Sequence, residues 1–174
     1  MHATFLLTLL RPFLSICITF AVAGPARAAA GEPLTDTIDE PPHWRFLVSP
    51  FTQHFRPDPE HKPVWALGVE RQAYGNWLFG ASYFSNSFGQ PSGYIYGGHR
   101  YEHVLGETKL FTQWSAGLLY GYKGKYQTKV PLNVNGYSPG LLFTAGWRFD
   151  DRRSVALHLL GDSAVMLQLA YDFR

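Results

Sequence analysis

Two short segments carry residue types that could together perform acyl-transfer chemistry. His54 lies in the sequence TQHF at residues 52–55, and Asn86 and Ser87 lie in SNSF at residues 85–88. A histidine close to a serine can act as a general base with a hydroxyl partner, and an asparagine can orient the histidine by hydrogen bonding. The alternative is a rim histidine beside turn-forming serine and asparagine residues, and the residue types alone favour that alternative.

A second candidate site is a lysine-rich segment near residue 125. Lys123, Lys125 and Lys129 lie in a stretch without any acidic residue, beside Tyr122 and Tyr126. Three lysines on one loop suit an anionic surface such as lipopolysaccharide phosphates, and a solvated loop is the alternative. The chain has no phosphate loop, nucleotide fingerprint or zinc motif. We therefore expect neither a cofactor nor a metal site.

The first thirty residues have the pattern of an export signal. Mostly apolar residues occupy positions 5–10 and 14–23, and PARAAA at residues 25–30 offers small residues for signal cleavage. A membrane anchor is the alternative, but the interrupted apolar run is short for a spanning helix. We predict a signal peptide at residues 1–30 and a short periplasmic segment at residues 31–43. Cys17 is the single cysteine, so the predicted mature chain has no disulfide.

The remaining chain shows hydrophobic alternation at period two, which predicts strands that present one apolar face. Each run of alternation ends at turn residues, and most runs have the ~9–11 residues that a tilted strand needs to cross a bilayer. The predicted strands are residues 44–55, 63–73, 76–86, 93–103, 108–122, 138–149, 154–161 and 163–173. Tight connections alternate with longer ones, as expected when both termini are periplasmic.

These features predict an all-β fold, an eight-stranded antiparallel transmembrane up-and-down β-barrel over residues 44–174. One face of the strands carries Trp, Tyr, Phe and Leu, and the other carries Gly, Ser, Gln, Asp and Arg. A soluble sandwich or a lipocalin-like barrel is the alternative. Two of the fifteen basic residues lie in the predicted signal peptide, which leaves thirteen against thirteen acidic residues. Nucleic-acid binding is therefore not expected.

The layout and its short motifs resemble the lipid A palmitoyltransferase (PagP) family. The matching positions are His54 in TQHF, the GNW segment at residues 75–77, and NSF at residues 86–88, where the family has Asp-Ser-aromatic. The resemblance implies transfer of a palmitoyl chain from phospholipid to lipid A in the bacterial outer membrane. It implies His54 as the base, Ser87 as the group that positions or polarises the acyl carbonyl, and Asn86 as the group that orients the histidine. Asn86 departs from the family because it replaces an acid.

An acyltransferase of this kind must hold an acyl chain inside the barrel. We expect Phe84, Ile95 and Gly97 to line that acyl pocket, with the glycine leaving space for the chain tip. The expected partners are a phospholipid donor, a lipid A or lipopolysaccharide acceptor and the outer membrane, and we expect a monomer. A non-enzymatic barrel for adhesion or envelope stability remains an alternative. Lipid A deacylation is a third alternative, but it lacks an acid partner for a triad.

Overall fold

The computed structural model describes residues 40–174. The predicted signal peptide and most of the segment at residues 31–43 lie outside these residues. The described chain forms eight strands, β1 (His43–His54), β2 (Trp65–Gln72), β3 (Trp77–Ser85), β4 (Pro91–Tyr101), β5 (Leu110–Tyr120), β6 (Tyr137–Arg148), β7 (Arg153–Leu160) and β8 (Ala164–Phe173). Three 3₁₀ segments lie in the connections, at Tyr74–Asn76, Val104–Gly106 and Gly124–Lys129. No helix in this part of the chain is long and apolar enough to cross a membrane.

The strands close into an antiparallel up-and-down barrel. Each strand pairs with the next one in sequence, and β1 pairs with β8 to complete the ring. The predicted eight-stranded antiparallel barrel is confirmed. β5 ends at Tyr120, before its predicted C-terminal end at residue 122. Gly121 and Tyr122 adopt positive φ angles of 148° and 48°, and these angles take the chain out of the extended conformation.

The two ends of the barrel differ in their connections. At one end, here called the turn end, the connections are residues 73–76, 102–109 and 149–152, none as long as the longest loops of the other end. At the other, the loop end, the connections are L1 (residues 55–64), L2 (86–90), L3 (121–136) and the short L4 (161–163). His54 and Ser87 both belong to the loop end, as predicted.

Large apolar side chains cover the outside of the barrel. Because side chains alternate between the two faces of a strand, the residues between these positions point inward. Exposed examples on different strands are Trp44, Phe79, Leu141, Leu157 and Phe173. On most strands the inward-pointing residues between these positions are polar or small. The outward face of the barrel is therefore the more apolar one.

The predicted acyl-pocket positions on β4 are wrong. Ile95 is 61% exposed, and a Cβ on Gly97 would meet the ring of outward-facing Phe79 at 3.4 Å. Tyr94 and Tyr96 point inward instead. Both faces of β4 carry aromatic or small residues, so polarity in the sequence did not fix which face is inside. Phe84 on β3 does face the interior, as predicted.

An ionic layer, here called the ionic plug, fills the interior near the turn end. Arg45 donates from Nε and Nη2 to Asp172 over 2.5 and 3.0 Å, and from Nη1 to Glu70 over 2.9 Å. Glu70 also accepts from the Tyr96 hydroxyl at 3.1 Å and from Gln113 Nε2 at 3.2 Å. Every carboxylate and guanidinium in this layer is therefore paired, which buried charges require.

The plug continues toward the turn end through a second arginine. Arg100 is buried, its guanidinium lies 3.4 Å from the ring centroid of Phe111, and its Nε donates to Glu102 over 2.5 Å. Arg148 donates to both Glu102 and Glu40, over 2.7 and 3.0 Å. The side chains of the barrel itself thus occupy the interior at the turn end.

Candidate active site

The structure brings His54 and Ser87 into direct contact at the loop end. His54 is the last residue of β1, and its Nε2 lies 2.8 Å from Ser87 Oγ in L2. The predicted approach of these two side chains is confirmed, while their catalytic roles stay predictions. With the ring proton on Nδ1, Nε2 accepts the hydroxyl hydrogen, which is the arrangement that a general base needs.

The side chain of Asn86 has hydrogen-bond partners other than the predicted one. It is fully buried, and its Oδ1 accepts the backbone N–H groups of Phe88 and Gln90, each at 3.0 Å. Its Nδ2 donates to Gln90 Oε1 at 3.4 Å. Within residues 40–174 no hydrogen bond joins Asn86 to His54. The prediction that Asn86 orients the histidine is wrong, because its amide is used to hold the turn that presents Ser87.

This role predicts the effect of Asn86→Asp. A carboxylate could still accept the two backbone hydrogens, but it cannot donate to Gln90 and would place a charge in a fully buried position. We expect a loss of about 1–3 kcal/mol of stability and no gain in activity. Urea unfolding of the refolded barrel measures the first, and an acyl-transfer assay measures the second. A variant that is more active and equally stable would show that the carboxylate acts on His54 after all.

His61 is a site residue that the sequence analysis did not place beside His54. Its ring centroid lies 4.1 Å from that of His54, at an interplanar angle of 31°, and 5.6 Å from that of Phe88. The two imidazoles therefore pack against each other at the loop end, with Phe88 on the other side of His61. Among residues 40–174, no group of three or more His, Cys, Asp or Glu side chains is arranged to hold a metal ion.

Tyr122 is the second site residue that sequence reasoning missed. Its side chain interacts with Ser87, and burial raises the pKa of its phenol, which keeps the hydroxyl protonated and able to donate. Its φ of 48° is unusual for a bulky residue and marks a backbone that its surroundings hold in place. The only signal for it in the sequence was an aromatic residue directly after Gly121.

The predicted lipopolysaccharide-binding lysines mostly serve as links between loops. Lys125 Nζ lies 2.7 Å from Glu60 Oε1, and Lys129 Nζ lies 3.4 Å from Asp58 Oδ2, so both connect L3 to L1. Lys123 lies over the ring of Tyr120 at 4.3 Å. The bond to Lys125 lowers the pKa of Glu60, and the bond to Glu60 raises the pKa of Lys125. The L1 carboxylates thus partly neutralise the positive charge predicted for L3.

The Glu60–Lys125 pair offers a test of this link. We expect Lys125→Glu to separate L1 from L3, and Glu60→Lys combined with Lys125→Glu to bring them back together. Spin labels on the two loops measure the separation. Because the pKa of Glu60 is lowered, the link is present at neutral pH and is lost as the pH falls through the pKa of Glu60 in the folded protein. Equal loop separation in the single and double variants would contradict the expectation.

A cavity of about 440 Å³ opens below the His54–Ser87 pair. This volume lies within the range of small-molecule pockets, ~300–1,000 Å³. Its walls include Leu47, Val64, Phe84, Leu119, Leu142 and Met166. Tyr94 and Tyr96 also line it, and the Tyr96 hydroxyl reaches down to Glu70, so Tyr96 joins the cavity to the ionic plug.

The barrel wall is incompletely paired beside this cavity. The pairing of β6 with β7 ends at Phe143 and Leu159, and the pairing of β1 with β2 ends at Ser49 and Ala66. Within the described chain, the remaining outer parts of β1 and β6 (residues 50–54 and 137–142) have no ladder partner on those sides. Each part contains a proline, which lacks the N–H that a ladder needs. The wall is thus weakest at two places next to the candidate site.

No protein-family model matches the chain, and no curated protein matches it in sequence. Among solved structures, it is similar to the Yersinia pestis outer membrane protein Ail in a phospholipid bilayer nanodisc. The identity is 13%, the match covers 75% of this chain and 99% of that one, and the TM-score is 0.37. A likeness this distant identifies neither a family nor an activity.

Proposed function

We propose that the barrel spans the bacterial outer membrane, with its loop end outward. The proposal is supported by strands of 8 to 12 residues and by the apolar exterior around a polar interior, which are the features of barrels in that membrane. The protein should fractionate with outer membranes and migrate differently on gels before and after heating. Recovery as a soluble periplasmic protein would overturn the proposal.

We further propose that the protein transfers a fatty acyl chain from phospholipid to lipid A, with palmitoyl the chain that the family resemblance implies. The observation that carries this proposal is the His54–Ser87 contact at the mouth of an interior cavity. The two incompletely paired wall regions beside that mouth would give lipid chains a lateral route into it. Donor and acceptor lipids both occur in the outer membrane, so the substrates lie where the site would meet them.

In this mechanism His54 Nε2 removes the proton from an acceptor hydroxyl of lipid A. The oxygen then attacks the ester carbonyl of the phospholipid, the bond to the glycerol oxygen breaks, and His54 returns the proton to that oxygen. When the lipid A hydroxyl takes the place of Ser87 at His54 Nε2, the hydroxyls of Ser87 and Tyr122 can donate to the carbonyl oxygen and stabilise the negative charge that develops on it. His61 packs against His54 and helps to hold its imidazole in place.

A non-enzymatic barrel is the second candidate, and the ionic plug favours it. A fully paired polar network in the interior is what a structural or partner-binding barrel needs for rigidity. The plug occupies only the part of the interior near the turn end, whereas the cavity lies near the loop end. This division leaves room for an acyl chain and supports the enzymatic proposal over the structural one.

Mass spectrometry of lipid A tests the proposed function directly. Lipid A from cells that express the gene is compared with lipid A from cells without it and from cells that express His54→Ala. A gain of one acyl chain with the wild-type gene alone supports the transferase. Loss of a chain would indicate a deacylase, and an unchanged mass would favour the non-enzymatic barrel.

A further inference from the structure

A second, smaller cavity of about 240 Å³, here called the rim cavity, lies beside the candidate site at the loop end. It shares His54, Ser87 and Tyr122 with the interior cavity, so the proposed catalytic pair borders both. The interior cavity has a mostly apolar lining, whereas the lining of the rim cavity includes side chains of both charges. The site thus stands between an apolar space and a charged one.

The charged side chains of the rim cavity form two loose cation–carboxylate pairs. Arg56 Nη2 in L1 lies 3.6 Å from Asp162 Oδ2 in L4, and Lys129 Nζ in L3 lies 3.4 Å from Asp58 Oδ2 in L1. Each pair keeps hydrogen-bonding capacity, because a guanidinium has several N–H donors, an ammonium has three, and a carboxylate has about four acceptor sites. All four side chains are at least partly exposed, so a ligand in the cavity can reach them.

The covalent structure of a phospholipid determines what must lie next to the reacting ester. Only a few bonds of the glycerol separate each acyl ester from the phosphate. With the acyl chain in the interior cavity and its ester at His54 and Ser87, the headgroup projects into the space beside these two residues. The rim cavity is such a space, since it borders the same two side chains.

The mixed charges of the rim cavity favour a headgroup that carries both signs. Phosphate oxygens can accept from Arg56 and Lys129, and an ammonium group can donate to Asp58 and Asp162. A purely anionic headgroup would meet the two carboxylates as well as the two cations, and juxtaposing like charges is unfavourable. The phosphates of lipid A would meet the same carboxylates, so the cavity suits the donor lipid better than the acceptor.

We propose that the rim cavity binds the headgroup of the donor phospholipid and prefers a zwitterionic one, in which an ammonium is linked to the phosphate as in phosphatidylethanolamine. The proposal rests on the proposed function, since it names the class of donor lipid. Arg56 and Lys129 hold the phosphate, and Asp58 and Asp162 hold the ammonium. These four side chains select the donor and take no part in the proton transfer at His54.

Competitive lipid binding to the refolded mature barrel tests the proposal without any need for catalysis. The barrel in maltoside micelles is mixed with equal amounts of phosphatidylethanolamine and phosphatidylglycerol that carry the same acyl chains. Native mass spectrometry then counts each bound lipid, because the two differ in mass. Phosphatidylethanolamine should bind about two- to fivefold more tightly, the effect of one partly exposed ion pair, and added salt should reduce this preference.

Neutralising the two carboxylates should abolish or reverse the preference. Asp58→Asn combined with Asp162→Asn leaves only the cations to face the headgroup. Asparagine at position 58 keeps the oxygen that accepts the backbone N–H of Glu60 at 2.9 Å, and heat-dependent migration on gels shows whether the variant is folded. Asp162→Asn alone should reduce the preference and serves if the double variant does not fold. The matched control is Asp150→Asn with Asp151→Asn, which makes the same charge change at the turn end and should keep the preference.

Equal binding of the two phospholipids to the wild-type barrel would overturn the proposal, as would a preference that survives neutralisation of both Asp58 and Asp162. Stronger binding of phosphatidylglycerol, or of lipid A added to the same mixture, would also overturn it and assign the rim cavity to an anionic ligand. The lipid A mass shift is measured separately. A gain of one acyl chain together with equal phospholipid binding would refute this inference alone and leave acyl transfer in place.

Discussion

Replacing His54 by alanine is expected to reduce the rate of acyl transfer by about 10²–10⁴-fold, the usual cost of losing a general base. Nε2 of this residue lies 2.8 Å from Ser87 Oγ at the mouth of the cavity. Transfer is measured with refolded protein, a labelled phospholipid donor and purified lipid A. Because His54 lies at the rim, we expect the stability loss to be on the order of 1 kcal/mol, so the barrel should still show heat-dependent migration.

His103→Ala is the control, since it removes a histidine at the turn end, far from the cavity mouth, and should retain full activity. Ser87→Ala should also impair transfer, less severely than His54→Ala if the serine only polarises the carbonyl. Full activity in His54→Ala would refute the mechanism and would favour a non-enzymatic barrel. Loss of activity together with loss of the folded form would point to a structural role of the rim contact.

The second large effect is expected inside the ionic plug. Arg45→Leu would leave the carboxylates of Glu70 and Asp172 buried without their shared guanidinium, and both lie within 3.0 Å of it. Removing one partner of a buried charge network typically costs about 3–5 kcal/mol. Urea unfolding of the barrel in lipid vesicles should therefore show a markedly lower midpoint for this variant.

An exposed ion pair provides the comparison for this prediction. Arg153→Leu removes an arginine that lies 3.6 Å from Asp150 on the surface, and exposed pairs contribute little to stability. Combining Arg45→Leu with apolar replacements of Glu70 and Asp172 should recover much of the loss, because no unpaired charge remains. If Arg45→Leu unfolds at the same urea concentration as the wild type, the plug does not stabilise the barrel.

The strand pattern could be predicted because alternation at period two is a local property of the chain. In β5, β6 and β8 one face is clearly more apolar, so the sequence indicated which residues point outward. Trp114, Phe143 and Leu169 lie on the more apolar face of these strands, and that face points outward. In β4 the pattern was ambiguous, since Tyr94, Ile95 and Tyr96 are all apolar or aromatic. The error for Ile95 and Gly97 arose there, because only the closure of the barrel decides which face of such a strand is inside.

The sequence by itself determined the number of strands, their alternation and the placement of His54 and Ser87 at one end. Each of these follows from residues that are near one another in the chain. The partners of those residues were decided by the tertiary structure. His61 packs on His54 and Tyr122 reaches Ser87 because L1, L2 and L3 fold over the same rim, although they are far apart in sequence. The side-chain amide of Asn86 is hydrogen-bonded to Phe88 and Gln90 in its own loop, so it is not available to His54. Strand patterns depend on local periodicity, whereas loop contacts depend on which loops the closed barrel brings together.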